Sequence, residues 1–436
     1  MADRSLQDLQ QLQALPLNLK IRLTQSRIRQ WVNEFGEDGV YVSFSGGKDS
    51  TVLLHLVREM YPNVPAVFCD TGLEYPEIRD FVKTFDNVTW LRPKMSFFQV
   101  CEKYGFPLIS KEVSENVYGA RKYLTSIIES ESLDRPTDRP TNRPTLPNHT
   151  YMADILGIDR RYNKQNEDYL KLKHGGFFNK ADAIALRTGS DGIESIEVSE
   201  ELANLLNERM LKREGGQNQR LAIMLGILTN DKDRPIQKDA PNKSQFSKER
   251  YQFFLTAPFE ISNKCCNVMK KNPASEYGKK TGRLPITATM ASESKVRTQK
   301  WLQHGCNAFD AKKKISNPMS FWVEQDVLLY IYQNHIPIAS VYGDVVKEQE
   351  VEGQLDVADL GIFDLERPML KTTKCKRTGC VLCGFGCHMR DDERFLLLKE
   401  SHPKLYNLLN VAKNNGYTFR EAIEWTNEHG GLEIRY

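Results

Sequence analysis

Val40-Tyr41-Val42-Ser43-Phe44-Ser45-Gly46-Gly47-Lys48-Asp49-Ser50-Thr51-Val52-Leu53-Leu54-His55-Leu56 decides how this chain is read. A short apolar run meets a turn with paired glycines between hydroxyl groups, and the apolar spacing beyond it is helical, which predicts strand, turn and helix. Glycines let a backbone approach an anion closely. The hydroxyls and N–H groups at a helix N-terminus supply donors and a favourable dipole. The turn therefore predicts a phosphate site built from Ser45, Gly46, Gly47, Lys48, Asp49 and Ser50. It is not a Walker A loop, because the G-x-x-x-x-G-K-[ST] spacing is absent.

Working outward, Leu19, Ile21, Leu23, Ile28 and Trp31 recur with helical spacing over 17–35. Pro65-Ala66-Val67-Phe68-Cys69 reads as a short buried strand that ends on Asp70-Thr71-Gly72-Leu73-Glu74-Tyr75-Pro76-Glu77. A helix over 77–85 and a strand over 88–91 continue the alternation, which implies an α/β fold with a parallel sheet flanked by helices. Ligands of such sheets bind beyond the C-terminal strand ends, so Asp70, Thr71 and Gly72 are expected beside the phosphate turn.

The 436 residues suffice for a large core in one domain with big insertions, or in two. With 60 Lys and Arg against 57 Asp and Glu, the net charge of +3 does not argue for a surface devoted to nucleic acid. No apolar run approaches membrane-spanning length, and Met1-Ala2-Asp3-Arg4-Ser5-Leu6-Gln7 does not read as a secretory leader. The expected setting is cytoplasmic, with no membrane partner. Expected boundaries are an N-terminal helical segment at 1–36, a nucleotide-binding half at 37–129, an insertion at 130–254, a second half at 255–370 and a cysteine-rich, C-terminal helical region at 371–436.

The insertion differs in character. Asp134-Arg135-Pro136-Thr137, Asp138-Arg139-Pro140-Thr141 and Asn142-Arg143-Pro144-Thr145 repeat a proline-bearing unit that resists helix and reads as an exposed loop. Apolar spacing predicts helices over 198–213 and 217–227, and 230–250 reads as a polar linker.

Nine cysteines without a secretory leader point to ligands, redox groups or core thiols. Cys69 and Cys101 lie alone in apolar surroundings and read as buried thiols, as does Cys306. Two clusters stand out, Asn263-Lys264-Cys265-Cys266-Asn267-Val268-Met269-Lys270-Lys271 and Lys374-Cys375-Lys376-Arg377-Thr378-Gly379-Cys380-Val381-Leu382-Cys383-Gly384-Phe385-Gly386-Cys387-His388. Closely spaced thiolates among glycines can wrap one soft metal centre. Cys375, Cys380, Cys383 and Cys387 could close a tetrahedral zinc site alone. The adjacent Cys265 and Cys266 suit the spread corners of an iron–sulfur cluster better.

Between these clusters, Pro285-Ile286-Thr287-Ala288-Thr289-Met290 reads as a strand, followed by a loop with Arg297 and a helix carrying Trp301; a further helix runs from Asn317 through Tyr332. The Ser45–Ser50 hexapeptide resembles the PP-loop of the ATP pyrophosphatase and sulfonucleotide reductase superfamily. With the Asp70-Thr71-Gly72 run, the Cys-Cys pair, Arg297 and the distant C-x-x-C, residues 38–125 and 255–400 resemble the adenylylsulfate and phosphoadenylylsulfate reductase family. The resemblance implies an adenine-nucleotide alpha-hydrolase-like sheet and one 4Fe–4S cluster on Cys265, Cys266, Cys380 and Cys383, leaving Cys375 and Cys387 as alternates.

One departure steers the expected activity. Reductases of that family end in a mobile tail whose cysteine attacks sulfur. Residues 425–436 hold no cysteine. The expectation is therefore an ATP-dependent sulfur transferase: ATP adenylates an acceptor oxygen, and sulfide or a cysteine desulfurase supplies sulfur that displaces AMP. Nucleic acid is a candidate acceptor, guided by Lys371, Lys374, Lys376 and Arg377. Deleting the residues after about 425 should then leave ATP cleavage largely intact. Ser45, Ser50 and the turn backbone would hold pyrophosphate, Lys48 would neutralise it, and Asp49 would orient Mg²⁺ or simply cap the helix. Asp70, Thr71 and Gly72 would flank adenosine, and Lys271 and Arg297 would reach phosphate or sulfate. The alternatives are a sulfite-producing reductase and a non-catalytic nucleotide-binding partner.

Overall fold

The computed structural model describes residues 4–132, 184–189, 192–198, 248–348 and 369–436. The chain divides into two compact units, Met1–Phe97 with Cys266–Val381 and Phe98–Cys265 with Leu382–Tyr436. Each is discontinuous in sequence, so its halves meet through tertiary packing.

The first unit is built on β1 (Val40–Ser43), β2 (Ala66–Cys69), β3 (Val88–Leu91), β4 (Leu284–Ile286), β5 (Asn307–Ala308) and β6 (Ile315–Ser316), in the order β3-β2-β1-β4-β6-β5. Neighbours pair in parallel except β5 with β6. The parallel α/β expectation is met. Strand order reverses beside β1, so the loop leaving β1 opens at the switch point where such sheets take ligands.

Helices α1 (Leu6–Gln13), α2 (Leu17–Phe35), α3 (Lys48–Met60), α4 (Pro76–Lys83), α5 (Asn272–Thr281), α6 (Lys295–His304) and α7 (Glu324–Asn334) belong to this unit. A Ser5–Asp8 capping box starts α1, and Gly36 at φ 77° ends α2, a backbone that L side chains rarely adopt. Val40, Val42, Val52, Leu53, Leu56, Val57 and Ala66 are fully buried between sheet and helices. Lys20 of α2 meets Asp326 of α7 at 2.6 Å with both side chains buried. Trp322 Nε1 donates to Thr24 Oγ1 at 2.9 Å, so the aromatic content before α7 serves packing. That helix begins at Glu324 rather than at Asn317, and the strand expected over 285–290 is confined to β4.

In the second unit, Leu108–Ile109 pairs in parallel with Gly384–Phe385, beneath helices Lys111–Ser132, Arg394–Ser401 and Phe419–Gly430. Its core is aromatic. Phe106 stacks on Phe419 at 4.9 Å, and Trp425 meets Phe259 edge-on at 5.3 Å.

One expected boundary is corrected here. The inserted stretch contains an antiparallel hairpin, Ile184–Gly189 with Gly192–Val198, bulged at Arg187/Thr188. Val198, where a helix was expected to open, is the last residue of that strand. The other residues of the two expected helices, and the 134–145 repeat, lie outside the described residues. The last residues are packed into this unit. Thr426 is fully buried and Ile434 is 2 % exposed, and Asn427 both donates to and accepts from the Ile434 backbone.

Candidate nucleotide site

At the end of β1 the chain turns through Gly46, whose φ of 71° lies in the left-handed region. A Cβ there would stand 2.8 Å from both Ile78 and Val82 of α4, so only glycine fits. Ser45 Oγ lies 3.0 Å from Ser50 Oγ, and Ser50 and Thr51 both donate to the Gly47 carbonyl. These bonds hold the first turn of α3 with its N–H groups directed at the loop, which suits an anion.

Lys48 is buried, and its ammonium donates to Glu324 Oε1 at 2.5 Å and to the Lys376 carbonyl at 2.9 Å. Its backbone N–H points at Tyr342 OH, 3.4 Å away. Burial pushes the Asp49 carboxyl above its ordinary range; Lys48 opposes this, Glu324 reinforces it, and Arg377 and Arg297 oppose it. Arg297, far away in sequence, is thus brought into the field of the phosphate turn. Lys376 and Thr378 lie against this side of the turn. None of Tyr342, Thr378, Glu293 or Glu324 was legible as a site residue, since each acts through a fold-generated contact with no motif around it.

Beyond β2, Asp70 is buried and committed: it ion-pairs with Arg79 at 2.9 Å and accepts from Gly72 N–H at 3.1 Å. Thr71 gives its N–H and hydroxyl to Glu74. Lys271 is exposed. Its neighbour Lys270 instead lies 3.9 Å from Glu74 Oε1 and donates to the Cys380 thiol. Burial opposes the Lys270 charge, yet Cys380, Glu74 and Cys266 outweigh it and raise its proton affinity.

In the first unit, then, Cys266 and Cys380 share one ammonium. Cys380 also lies 3.8 Å from Thr71 Oγ1, and burial pushes its thiol up against the pull of Lys270. A π-turn, Asn267–Lys271, follows Cys266 and sets Lys270 on this side, a distortion often found at functional positions. Cys375 is placed differently: its thiol donates to the Arg377 carbonyl at 2.8 Å, beside Lys48. In the second unit, Cys383 and Cys387 share Arg394, which donates to the Cys383 and Phe385 carbonyls at 2.8 and 2.9 Å and is held by Asp392. Burial pushes Cys387 up to about 12.

In each unit, then, thiols lie beside a fixed cation, Lys270 or Arg394. Among the described residues no group of three or more His, Cys, Asp or Glu is gathered to hold a metal ion. Cys101 is fully buried, Cys306 accepts from Ser320 at 3.2 Å, and Cys69 is partly exposed with its thiol pushed up to about 11 by burial. Among the described residues no helix is long and apolar enough to cross a membrane.

The family model for the phosphoadenosine phosphosulfate reductase domain matches residues 39–118 and 220–384, more than half of the chain. The chain belongs to this family. Its members are PP-loop proteins of sulfur metabolism that act on nucleotide substrates, and the matched residues include the phosphate turn and the cysteines at 265, 266, 380 and 383. The chain is also similar to an uncharacterized protein of Methanocaldococcus jannaschii, 40% identical over 73 residues, which are 16% of this chain and 18% of that one. A phosphoadenosine 5'-phosphosulfate reductase of Xylella fastidiosa is 34% identical over 80 residues, 18% of this chain and 33% of its own length. The chain thus spans a third or less of these relatives.

Proposed function

We propose that this protein is an ATP-dependent sulfur transferase with the phosphate turn as its nucleotide site. The observation that carries the reading is the complete Ser45–Ser50 turn, with a left-handed glycine that admits no Cβ, paired hydroxyls and a buried lysine. ATP arrives with Mg²⁺, which Asp49 orients; the turn N–H groups and Lys48 neutralise the β- and γ-phosphates. The acceptor oxygen attacks the α-phosphorus, the bond to the bridging oxygen breaks, and pyrophosphate leaves with the electron pair. Sulfide, free or released from the persulfide of a cysteine desulfurase by a thiol reductant, then attacks the atom that bears the activated oxygen. AMP departs with that oxygen. A nucleic-acid acceptor fits the basic residues Lys371, Lys374 and Lys376 beside the site.

Cys265, Cys266, Cys380 and Cys383 are the residues that would hold a 4Fe–4S cluster, and Lys270 would balance its charge. Such a cluster, when bound, supplies electrons or an iron corner that can carry sulfur.

Similarity to the Xylella reductase favours a second reading, in which an adenylated sulfate occupies the turn and sulfite is released. Incubating anaerobically purified protein with ATP, sulfide and nucleic acid, or with adenylylsulfate and a thiol reductant, separates them. AMP and pyrophosphate release with sulfur in the acceptor, lost in Lys48→Ala, is the expected result. Sulfite from adenylylsulfate with no ATP turnover would give the site to the reductase reading.

A further inference from the structure

Residues 376–378 run along the phosphate turn. The Lys376 carbonyl accepts from Lys48 Nζ at 2.9 Å, and Thr378 Oγ1 hydrogen-bonds Tyr342 OH, the group that Lys48 N–H approaches. A Cβ on Gly47 would stand 3.6 Å from Thr378 Oγ1. Arg377 is therefore fixed between two residues that touch the turn, while its own side chain is 70 % exposed. Its guanidinium donates to Glu293 Oε1 at 3.0 Å, and the other oxygen of that carboxylate takes Arg297 and the Met290 N–H. One carboxylate thus holds two guanidiniums together.

Keeping two cations side by side has an electrostatic cost. Burial first, and then the Arg377 charge, hold Arg297 below the usual guanidinium range. A single carboxylate does not use all the donors of two guanidiniums, each of which presents five N–H groups in a planar fork. A tetrahedral oxyanion is the ligand whose oxygens such forks fit best. The place is also right, because both arginines act on Asp49 inside the turn.

We propose that Arg377 and Arg297 form a two-arginine clamp for the outer oxyanion of the bound nucleotide, a phosphate or a sulfate, with Glu293 as the positioning residue. The clamp rests on the nucleotide reading above and deepens it. Glu293 keeps the guanidiniums in place before the ligand arrives, and the oxyanion takes the N–H groups that Glu293 leaves open. Arg377 lies between Cys375 and Cys380, so one segment carries both the clamp and a thiol.

Calorimetric titration of the full chain with pyrophosphate, ATP and adenylylsulfate tests this. Arg377→Ala should weaken at least one of them by about tenfold, the scale of a lost charge-assisted hydrogen bond. Arg377→Lys should recover part of the loss, since it keeps the charge but not the fork. Loss confined to pyrophosphate and ATP identifies a phosphate clamp, and loss confined to adenylylsulfate a sulfate clamp. Wild-type affinity for all three in Arg377→Ala would overturn the proposal, as would an affinity loss matched by reduced ligand-free thermal stability in both variants. Unchanged pyrophosphate binding in Lys48→Ala would instead remove the nucleotide reading itself.

Discussion

Asp49 shows how a site residue can cost stability. Its carboxyl is held above the ordinary range chiefly by burial, with three nearby cations only partly offsetting that and Glu324. A folded-state pKa above the unfolded one means that the native protein binds the proton more tightly. The favourable contribution is then complete below the unfolded value, near 3.8, and is lost as pH rises through the folded value. Asp49→Asn removes the titration. In urea unfolding from pH 4 to 7, the ligand-free variant should match the wild type at the acid end and become the more stable protein as pH rises. The same variant should lose ATP turnover if Asp49 orients Mg²⁺. A stability difference that does not change with pH would show that Asp49 acts in the free protein only as a helix cap.

At the scale of elements, the strands and helices next to the phosphate turn were legible because local pattern and tertiary role agree. Helix 17–35 and strand 88–91 match their expected limits, and α3 begins where the glycines end. What was not legible depends on contacts between distant segments. The Lys48–Glu324 pair joins residues 276 positions apart, and Arg377 meets Glu293 across 84. Lys271 drew attention by its charge, whereas the π-turn after Cys266 directs Lys270 to the thiol, a rotation no residue spacing reveals. The final helix is likewise held by packing, since Phe419, Ala422 and Ile423 are fully buried. Deleting 426–436 removes the buried Ile434 and two Asn427 hydrogen bonds, and should cost about 3–5 kcal/mol by the usual worth of such burial and bonds. Urea unfolding of the truncated and full chains measures it. A truncated chain as stable as the full one would mean that this helix adds nothing to its unit.

For the whole molecule, the cysteines carry the largest consequence. Cys266 and Cys380 belong to the first unit, and Cys265, Cys383 and Cys387 to the second, so cysteines from both ends of the sequence pattern occur in each. Each unit also sets thiols beside a fixed cation, Lys270 or Arg394. A lone tetrahedral zinc would need no such arrangement, because four thiolates around Zn²⁺ are already closed within a short run. A cluster with four irons places its corners further apart and carries more spread negative charge, which nearby cations offset. Protein purified without oxygen should therefore be brown, absorb near ~400 nm and contain about four irons per chain, as four-iron clusters do. Cys380→Ser and Cys383→Ser should each bleach it, whereas Cys375→Ser should keep the colour, since Cys375 lies beside Lys48 and bonds the Arg377 carbonyl. Lys270→Met should leave iron bound while lowering the reduction potential, because it removes a positive charge beside Cys266 and Cys380. Iron content and a spectroelectrochemical titration read these outcomes directly, without reference to turnover. Colourless protein with one zinc, retained in Cys265→Ser and lost in Cys375→Ser, would assign the C-terminal cysteines to a closed tetrahedral site and remove the cluster from the proposed function.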